Sequence, residues 1–566
     1  MFKKNDILEI EIIDQGITGE GIGKMDGYAL FVKDTVIGDV VRVKIMKAKK
    51  NYAFAKLIEI VKASDKRVAE PCPVAKSCGG CQLQAMGYEE QLRFKENKVY
   101  NNIKRIGGIE DFEMKPIIGM EEPFYYRNKA QFPVGKNKDG EIVWGFYAGR
   151  THSIIEVDSC MLGIRPEGVD INCQVMQTVK SFMETQGIEP YDEQTGKGLV
   201  RHVLIRIGNT TKQVMVCIVV NGSKMPKSDI LVERLLKISG MSDISLSVNR
   251  NRNNVIMGTE IISLYGPGYI EDYIGDVKFR ISPLSFFQVN PLQTEKLYRK
   301  ALEYAGLTGN ETVWDLYCGI GSISLFLAKK AKKVIGVEIV PEAIEDAKVN
   351  ASINEINNAE FLVGAAEEVV PKYFEEHRGA PECKPDVIVV DPPRKGCDAV
   401  LLETMVQMAP ERIVYVSCDS ATLARDLKWL EEQGYKTVEV TPCDMFGQTV
   451  HVESIVLLSH KSPDCIINVK VEFGDGEGKV PLDAIAERAK KYQPKPKITY
   501  KMIQEYVEKK YGYRVHTAYI AEVKRSMGLT LYDAPNAVEE LKQPRKHPPK
   551  EKVEAIKDAL KYFEVI

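Results

Sequence analysis

The 566-residue sequence has no long apolar run; nothing in it approaches the roughly 18 consecutive apolar residues that a membrane span requires. Its start, MFKKNDILEIEII, lacks an apolar leader core and a small-residue cleavage site, so a cytoplasmic protein is expected. Net charge is also missing. Lys+Arg 77 against Asp+Glu 79 leaves −2, and no global field marks a polyanionic partner. No internal repeat is visible, and twelve cysteines in a cytosolic chain this long do not suggest a disulfide framework. What is present is ordinary globular composition: 44% hydrophobic and 28% charged residues exclude chain-wide disorder. Length alone favours three to four domains at about 150 residues each.

The near-zero charge conceals two regions. Residues 461–566 carry 21 Lys and Arg against 16 Asp and Glu, a balance of +5, which leaves the first 460 residues at −7. A basic tail of this kind serves either an RNA surface or simply a solvated face. Within it QPKPK (493–497) reads as a stiff linker, and TYKMIQEYVEKKYGYRVHTAYIAEVKRSMGL reads as helix, glycine-containing turn, helix.

Residues 1–63 alternate in strand period (ILEIEII, YALFVK, DVVRVKIMK, YAFAKLIEI), with GITGEGIGKMDG taken as a turn, which predicts a small OB-like β-barrel. Lys44, Lys47, Lys49, Lys50, Tyr52 and Phe54 interleave cations with rings, a pattern that grips phosphates and stacks bases. The plainer alternative is a lysine-rich edge that resists aggregation. Cys72, Cys78 and Cys81 then form C-x5-C-x2-C in a Pro/Gly loop, and Cys160 is the nearest candidate for a fourth thiolate. Sets of four thiolates hold zinc or an iron–sulfur cluster. The x5 spacing is unusual for a zinc ribbon and favours iron–sulfur, without the C-x3-C-x2-C spacing of radical enzymes. A helix (GYEEQLRFKENKVYNNIKRI) and a mixed α+β segment follow, up to residue 283.

From Phe286 to about His460, strands and helices alternate, which predicts an α/β, doubly wound, mainly parallel Rossmann-like sheet. VWDLYCGIGSISLFLA (313–328) reads as buried strand, glycine turn and helix start, with Asp315 at the strand end and Gly319 and Gly321 in the turn. Glu338 closes the next strand at the spacing of an acid that holds ribose hydroxyls. The third glycine of a dinucleotide fingerprint is missing, so a nucleoside without pyrophosphate fits better, S-adenosylmethionine being the commonest. The loop Asp391-Pro392-Pro393-Arg394 stands at the carboxyl edge of the sheet and lacks the aromatic ending of methyltransferases that act on exocyclic amines.

Cys418 follows an apolar strand and faces a helix start, with Ser420 and Thr422 as candidate caps; an exposed thiol favoured as thiolate is expected there. Such a nucleophile solves a specific problem. Uracil C5 is too weak to attack a methyl sulfonium until a thiolate adds at C6, and a carboxylate must afterwards remove the C5 proton. Glu453, at the start of another buried strand, is the candidate base. Cys173, Cys217 and Cys318 read as packing residues.

FFQVNP (286–291), DLYCGIGSISL, DPPRKG, VSCDSATLARDL and HVES together resemble the RNA uracil-C5 methyltransferases over about residues 1–460. The four cysteines and a barrel like the TRAM domain narrow the resemblance to the branch that modifies 23S ribosomal RNA. The resemblance implies a [4Fe-4S] cluster on Cys72, Cys78, Cys81 and Cys160, and S-adenosyl-L-methionine contacts from Gln288, Tyr317, Glu338 and Asp391. It also implies Cys418 as nucleophile and Glu453 as base. Ser322 lies where some relatives place an Asn, and that contact is not carried over. Some archaeal tRNA enzymes of this kind also carry barrel and cluster, so a tRNA substrate is the alternative, with a non-catalytic ribosome-assembly factor behind it.

The expected molecule is thus a monomer that methylates a flipped-out loop uridine, with Arg127 and Lys129 among the groups that hold the RNA. Its expected domains are a barrel (1–63), a central cluster domain (64–283), a Rossmann-like domain (284–460) and a basic helical extension (461–566).

Overall fold

The computed structural model describes residues 2–149, 151, 153–460, 500–527 and 548–563. The predicted linker QPKPK lies outside them. The chain divides into two compact units, Met1–Cys465 and Ile466–Ile566. Among the described residues no helix is long and apolar enough to cross a membrane.

In the first unit, strands Ile7–Gln15, Gly21–Met25, Tyr28–Val32, Val40–Ala48 and Tyr52–Lys62 close into a barrel. Alternation points Ile10, Ile12, Leu30, Val32, Val41 and Val43 inward. The second strand falls in the segment taken from sequence as a turn. A Cβ on Gly21 would lie 2.2 Å from Thr35 Oγ1, and one on Gly23 2.7 Å from Ile10 Cδ1. Glycine is there because strands approach closely, which composition alone mimics as a turn.

A seven-stranded sheet follows, ordered Glu260–Tyr265, Met241–Val248, Val214–Val220, Val200–Ile207, Lys129–Lys136, Ile142–Tyr147, Ile154–Glu156. The helix Ile171–Gln186 packs on it through Val175, Val179, Phe182 and Met183.

The third layer is an eight-stranded sheet ordered Ala359–Val363, Lys333–Glu338, Thr312–Leu316, Val387–Val390, Arg412–Ser417, Glu453–His460, Tyr435–Cys443, Glu113–Met114. The first five strands are parallel, and Glu453–His460 runs antiparallel to both neighbours. The predicted doubly wound sheet is therefore present, with an addition: the edge strand Glu113–Met114 comes from far upstream. So does the helix Tyr88–Asn102, whose Val99 joins Ile103 and Ile109 in one core with Leu423, Ala424 and Leu427.

The second unit has three described helices, Tyr500–Tyr511, Thr517–Ser526 and Lys550–Tyr562, around Ile503, Val507, Ile520, Val523, Ile556 and Leu560. The first two form the predicted hairpin, with Gly512 left-handed (φ 78°) in the turn.

Candidate active site

The strand Thr312–Leu316 runs into a turn in which Tyr317, Gly319 and Gly321 have φ of 72°, 56° and 78°. This folds the chain back so that the amides of Tyr317 and Cys318 both donate to Val337 O at 2.9 Å. A Cβ on Gly321 would press on Ala347 and Phe361 at 3.2 Å, so glycine is needed for space as well as for φ. Asp315 is fully buried, accepts from Ser324 Oγ, and is pushed up to about 7, chiefly by burial. Glu338 accepts from Gly319 N–H at 3.1 Å and Val340 N–H at 3.0 Å, which sets its carboxylate on the rim. Ser322 is occupied by Tyr298, hydroxyl to hydroxyl at 2.8 Å.

Above this turn lies a cavity of about 690 Å³. Gln288, Tyr317, Glu338, Asp391, Cys418 and Glu453 all line it, brought together from six separate segments. Phe446, which the sequence pattern does not single out, and His451, which opens the HVES run without a role assigned to it, line it as well, beside Arg394.

Electrostatically the far wall is a proton trap. Glu453 is 5% exposed, and burial, followed by the charge of Asp391, pushes its carboxyl up to about 8 against the opposing pull of Arg394. Burial pushes Asp391 up to about 6. The thiol of Cys418 is pushed up to about 11 by burial, then by Glu453 and Asp391, with Arg394 opposing.

This corrects the expectation of an exposed thiol held as thiolate: Cys418 is half-buried, and burial, followed by the two nearby carboxylates, favours the thiol. The helix Ser420–Glu432 has its first donors occupied, because Asp419 accepts from Ala421 N–H at 2.9 Å and Thr422 N–H at 3.1 Å. Ser420 and Thr422 are not its caps. Ser420 Oγ accepts from Asn102 Nδ2 at 2.8 Å, and Thr422 Oγ1 donates to Arg394 O at 3.0 Å, pinning the DPPR loop.

Residues 268–461 match the family described as tRNA (Uracil-5-)-methyltransferase, and residues 2–58 match the TRAM domain. A Clostridium tetani protein described as an uncharacterized RNA methyltransferase is 50% identical over 459 residues, 81% of this chain and 97% of its own. A Listeria monocytogenes protein of the same description is 46% identical over 458 residues, again 81% of this chain and 98% of its own. Among solved structures, the Pyrococcus abyssi tRNA (uracil-54, C5)-methyltransferase in complex with S-adenosyl-L-homocysteine superposes with a TM-score of 0.63. It is 29% identical and covers 80% of this chain and 99% of its own. The chain belongs to the RNA uracil-5 methyltransferase family.

In this methyltransferase the wall carrying Phe446, His451 and Glu453 is held from outside the Rossmann-like region. Lys95, 0% exposed, pairs with the equally buried Asp444 at 2.5 Å and donates to Phe446 O at 3.0 Å. Tyr88 OH donates to Asp444 Oδ2 at 2.9 Å. Gln91 and Gln448 exchange two bonds of 3.0 Å, Lys98 donates to Val450 O at 2.9 Å, and Tyr126 OH to Gly447 O at 2.9 Å. The amides of Gln82 and Leu83, next to Cys81, both donate to Gln448 O at 3.0 Å. His451, half-buried and beside Arg394, Lys98 and Lys95, is pushed down to about 4 by burial and these cations, so the imidazole is neutral at physiological pH.

The four cysteines gather in this same upstream region as free, half-buried thiols. Burial raises Cys78, Cys81 and Cys160, Cys81 to about 12; Cys160 and Cys78 add to the rise at Cys81, and Cys72 to that at Cys78. The Arg127 guanidinium opposes the rise at all three. Gly80 N–H points at Cys78 Sγ at 3.4 Å, and Arg127 Nε and Gln84 Oε1 are buried without a partner. Among the described residues no three His, Cys, Asp or Glu side chains converge as a group that could hold a metal ion, and this includes the four cysteines. A cuboidal cluster carries its thiolates on separate corners, further apart than the ligands of one ion. In donor chemistry, though not in a measured geometry, four soft thiols with one N–H on sulfur and a guanidinium Nε without a partner beside them suit such a group.

Proposed function

We propose that this chain methylates C5 of a uridine in RNA, drawing the methyl group from S-adenosyl-L-methionine. The observation that carries the reading is the convergence of Cys418, Glu453 and Asp391 with the Glu338 rim in one cavity. Gln288, Tyr317, Glu338 and Asp391 would hold the donor, which supplies an electrophilic methyl on a sulfonium. The proton of the Cys418 thiol passes through the carboxylate pair to solvent, sulfur bonds to C6, and C5 gains the electron pair that takes the methyl group, leaving Glu453 free as a carboxylate. Glu453 then removes the C5 proton, the C6–S bond breaks and the sulfur is reprotonated. One proton leaves to solvent per methyl added, and Arg394 balances the charge of the pair. The uridine must leave any stack to reach both groups.

The barrel combined with the four-cysteine segment supports 23S rRNA as the substrate. A second reading, a tRNA uridine, is favoured by likeness to the archaeal tRNA enzyme over 99% of that chain. The four cysteines are proposed to carry a [4Fe-4S] cluster that holds the fold and positions RNA rather than exchanging electrons, since methyl transfer from this donor needs none.

The test of the chemistry is trapping on 5-fluorouridine RNA, whose fluorine blocks removal of the C5 proton. With donor present, wild type should form a denaturation-resistant adduct and Cys418→Ala should not. Trapping by both, or by neither on an RNA otherwise methylated, sinks the mechanism. Mapping 5-methyluridine in total RNA of a deletion strain decides between rRNA and tRNA.

A further inference from the structure

The relatives are matched over 97 to 98% of their own length by 81% of this chain, so its C-terminal extension has no counterpart of that size in them. The extension is also the part whose charge, +5, opposes the −7 of the rest. Its described helices enclose an apolar core of their own, so the surface they present is held in shape.

One patch of that surface combines rings and cations. Tyr511 is 40% exposed and Tyr562 66%. The rings of Tyr506 and Tyr562 lie 4.5 Å apart, tilted by 31°, and Lys510 Nζ stands 5.3 Å from the Tyr506 centroid and 5.7 Å from that of Tyr511. The acid beneath them is neutralised: Asp558 accepts from Lys510 at 2.7 Å, Tyr511 at 2.9 Å and Tyr506 at 3.0 Å. Lys509 and Lys561 flank the patch, exposed and in no ion pair among the described residues. A helical hairpin needs no such surface. Solvated helices ordinarily show alternating charge, whereas here two large rings stay in water with cations around them.

We propose that the patch of Tyr506, Tyr511, Tyr562, Lys509 and Lys561, with Lys510 neutralising the charge of Asp558 beneath it, is an accessory site for single-stranded RNA, where exposed rings stack bases and Lys509 and Lys561 take the phosphates between them. Rings accept any base and lysines any phosphate, so the site adds affinity without choosing sequence. It rests on the reading of RNA as substrate and extends it to single-stranded segments flanking the methylated loop.

The test uses the full chain and two probes: a uridine-loop hairpin RNA with single-stranded flanks, and the same hairpin without them. Tyr511→Ala with Tyr562→Ala should weaken binding to the flanked probe by about fivefold or more. Lys509→Gln with Lys561→Gln should make its salt dependence shallower by ~0.7 in slope for each phosphate no longer neutralised. Affinity for the unflanked hairpin and its kcat should stay at wild-type values. Equal affinity of all chains for the flanked probe overturns the proposal. So does an equal loss on both probes, or better competition by duplex DNA than by single-stranded RNA. Should the ring variant melt early, the lysine variant, which alters only exposed side chains, carries the test. A wild-type chain that binds both probes yet methylates neither fails the proposed function and leaves the binding comparison readable.

Discussion

The two walls of the pocket are built in different ways. The wall proposed to hold the methyl donor centres on the turn after the strand Thr312–Leu316 and on Glu338 at the end of the adjacent strand, and Glu338 is fastened by the amides of Gly319 in that turn and of Val340, two residues on. The wall of Phe446, His451 and Glu453 is fastened from Tyr88, Gln91, Lys95 and Lys98, across sequence separations of 349 to 357 for its Lys95, Gln91 and Tyr88 bonds. The first is local hydrogen bonding on a Rossmann-like frame. The second needs an upstream helix to dock, so the proposed base depends on a part of the chain some 350 residues before it.

The comparison can be broken most sharply at Glu453. Glu453→Gln should slow turnover by about 10²- to 10⁴-fold, the usual span for a positioned base. It should also let a covalent RNA adduct accumulate on ordinary uridine, read on a denaturing gel; turnover that persists within tenfold removes Glu453 from the base role.

Next in size, Lys95→Met strands Asp444 in the core and should cost about 3–5 kcal/mol by denaturant titration. The distant wall should fail first, so adduct formation drops while donor affinity holds. Adding Asp444→Asn should restore part of the loss, because it removes the stranded charge; no recovery would mean that packing, not charge, sets the cost.

Glu338→Gln tests the local wall. Losing charge-assisted bonds of about 1.5–3 kcal/mol should raise the KM for the donor by about 10- to 100-fold, with adduct formation on 5-fluorouridine RNA intact at saturating donor.

A smaller effect follows from pH. With Glu453 up to about 8, kcat/KM should climb as pH rises towards 8 and level off above it. Stability runs the other way. Between its ordinary 4.5 and about 8 the folded carboxyl binds more proton than the unfolded one, so stability falls as pH rises through that window. Glu453→Gln should flatten this part of the Tm-against-pH curve, and an unchanged slope assigns it to other groups.

Gly23→Ala, far from both walls, sets the small end. Its Cβ would meet Ile10 Cδ1 at 2.7 Å and Glu11 O at 2.8 Å, costing about 1–3 kcal/mol in a denaturant titration with kcat retained.

Much of this was legible in the residues themselves. The strand–glycine–helix run at 313–328, the acid at Glu338, the DPPR loop, and the thiol and carboxylate at Cys418 and Glu453 all line the cavity. Each lies at a strand end: the parallel strands deliver their carboxyl ends to one edge, and the antiparallel strand Glu453–His460 brings its start to the same edge. Two expectations failed for the same reason. The glycines at 21 and 23 look like a turn because composition does not show which strands will crowd them. The thiolate at Cys418 looks favoured because the sequence shows a helix start but not the two buried carboxylates beside it, nor that Asp419 already takes the helix's first amides.

Which groups carry the chemistry, and which strand ends bring them to one edge, follows from the residue order, because hydrophobic period and turn residues act over a few positions. Their protonation, the docking of the Tyr88–Asn102 helix behind the base, and the presence of Phe446 and His451 in the pocket come only with the folded molecule. Those depend on which atoms exclude water from which others, and burial of that kind is a property of packed surfaces hundreds of residues apart.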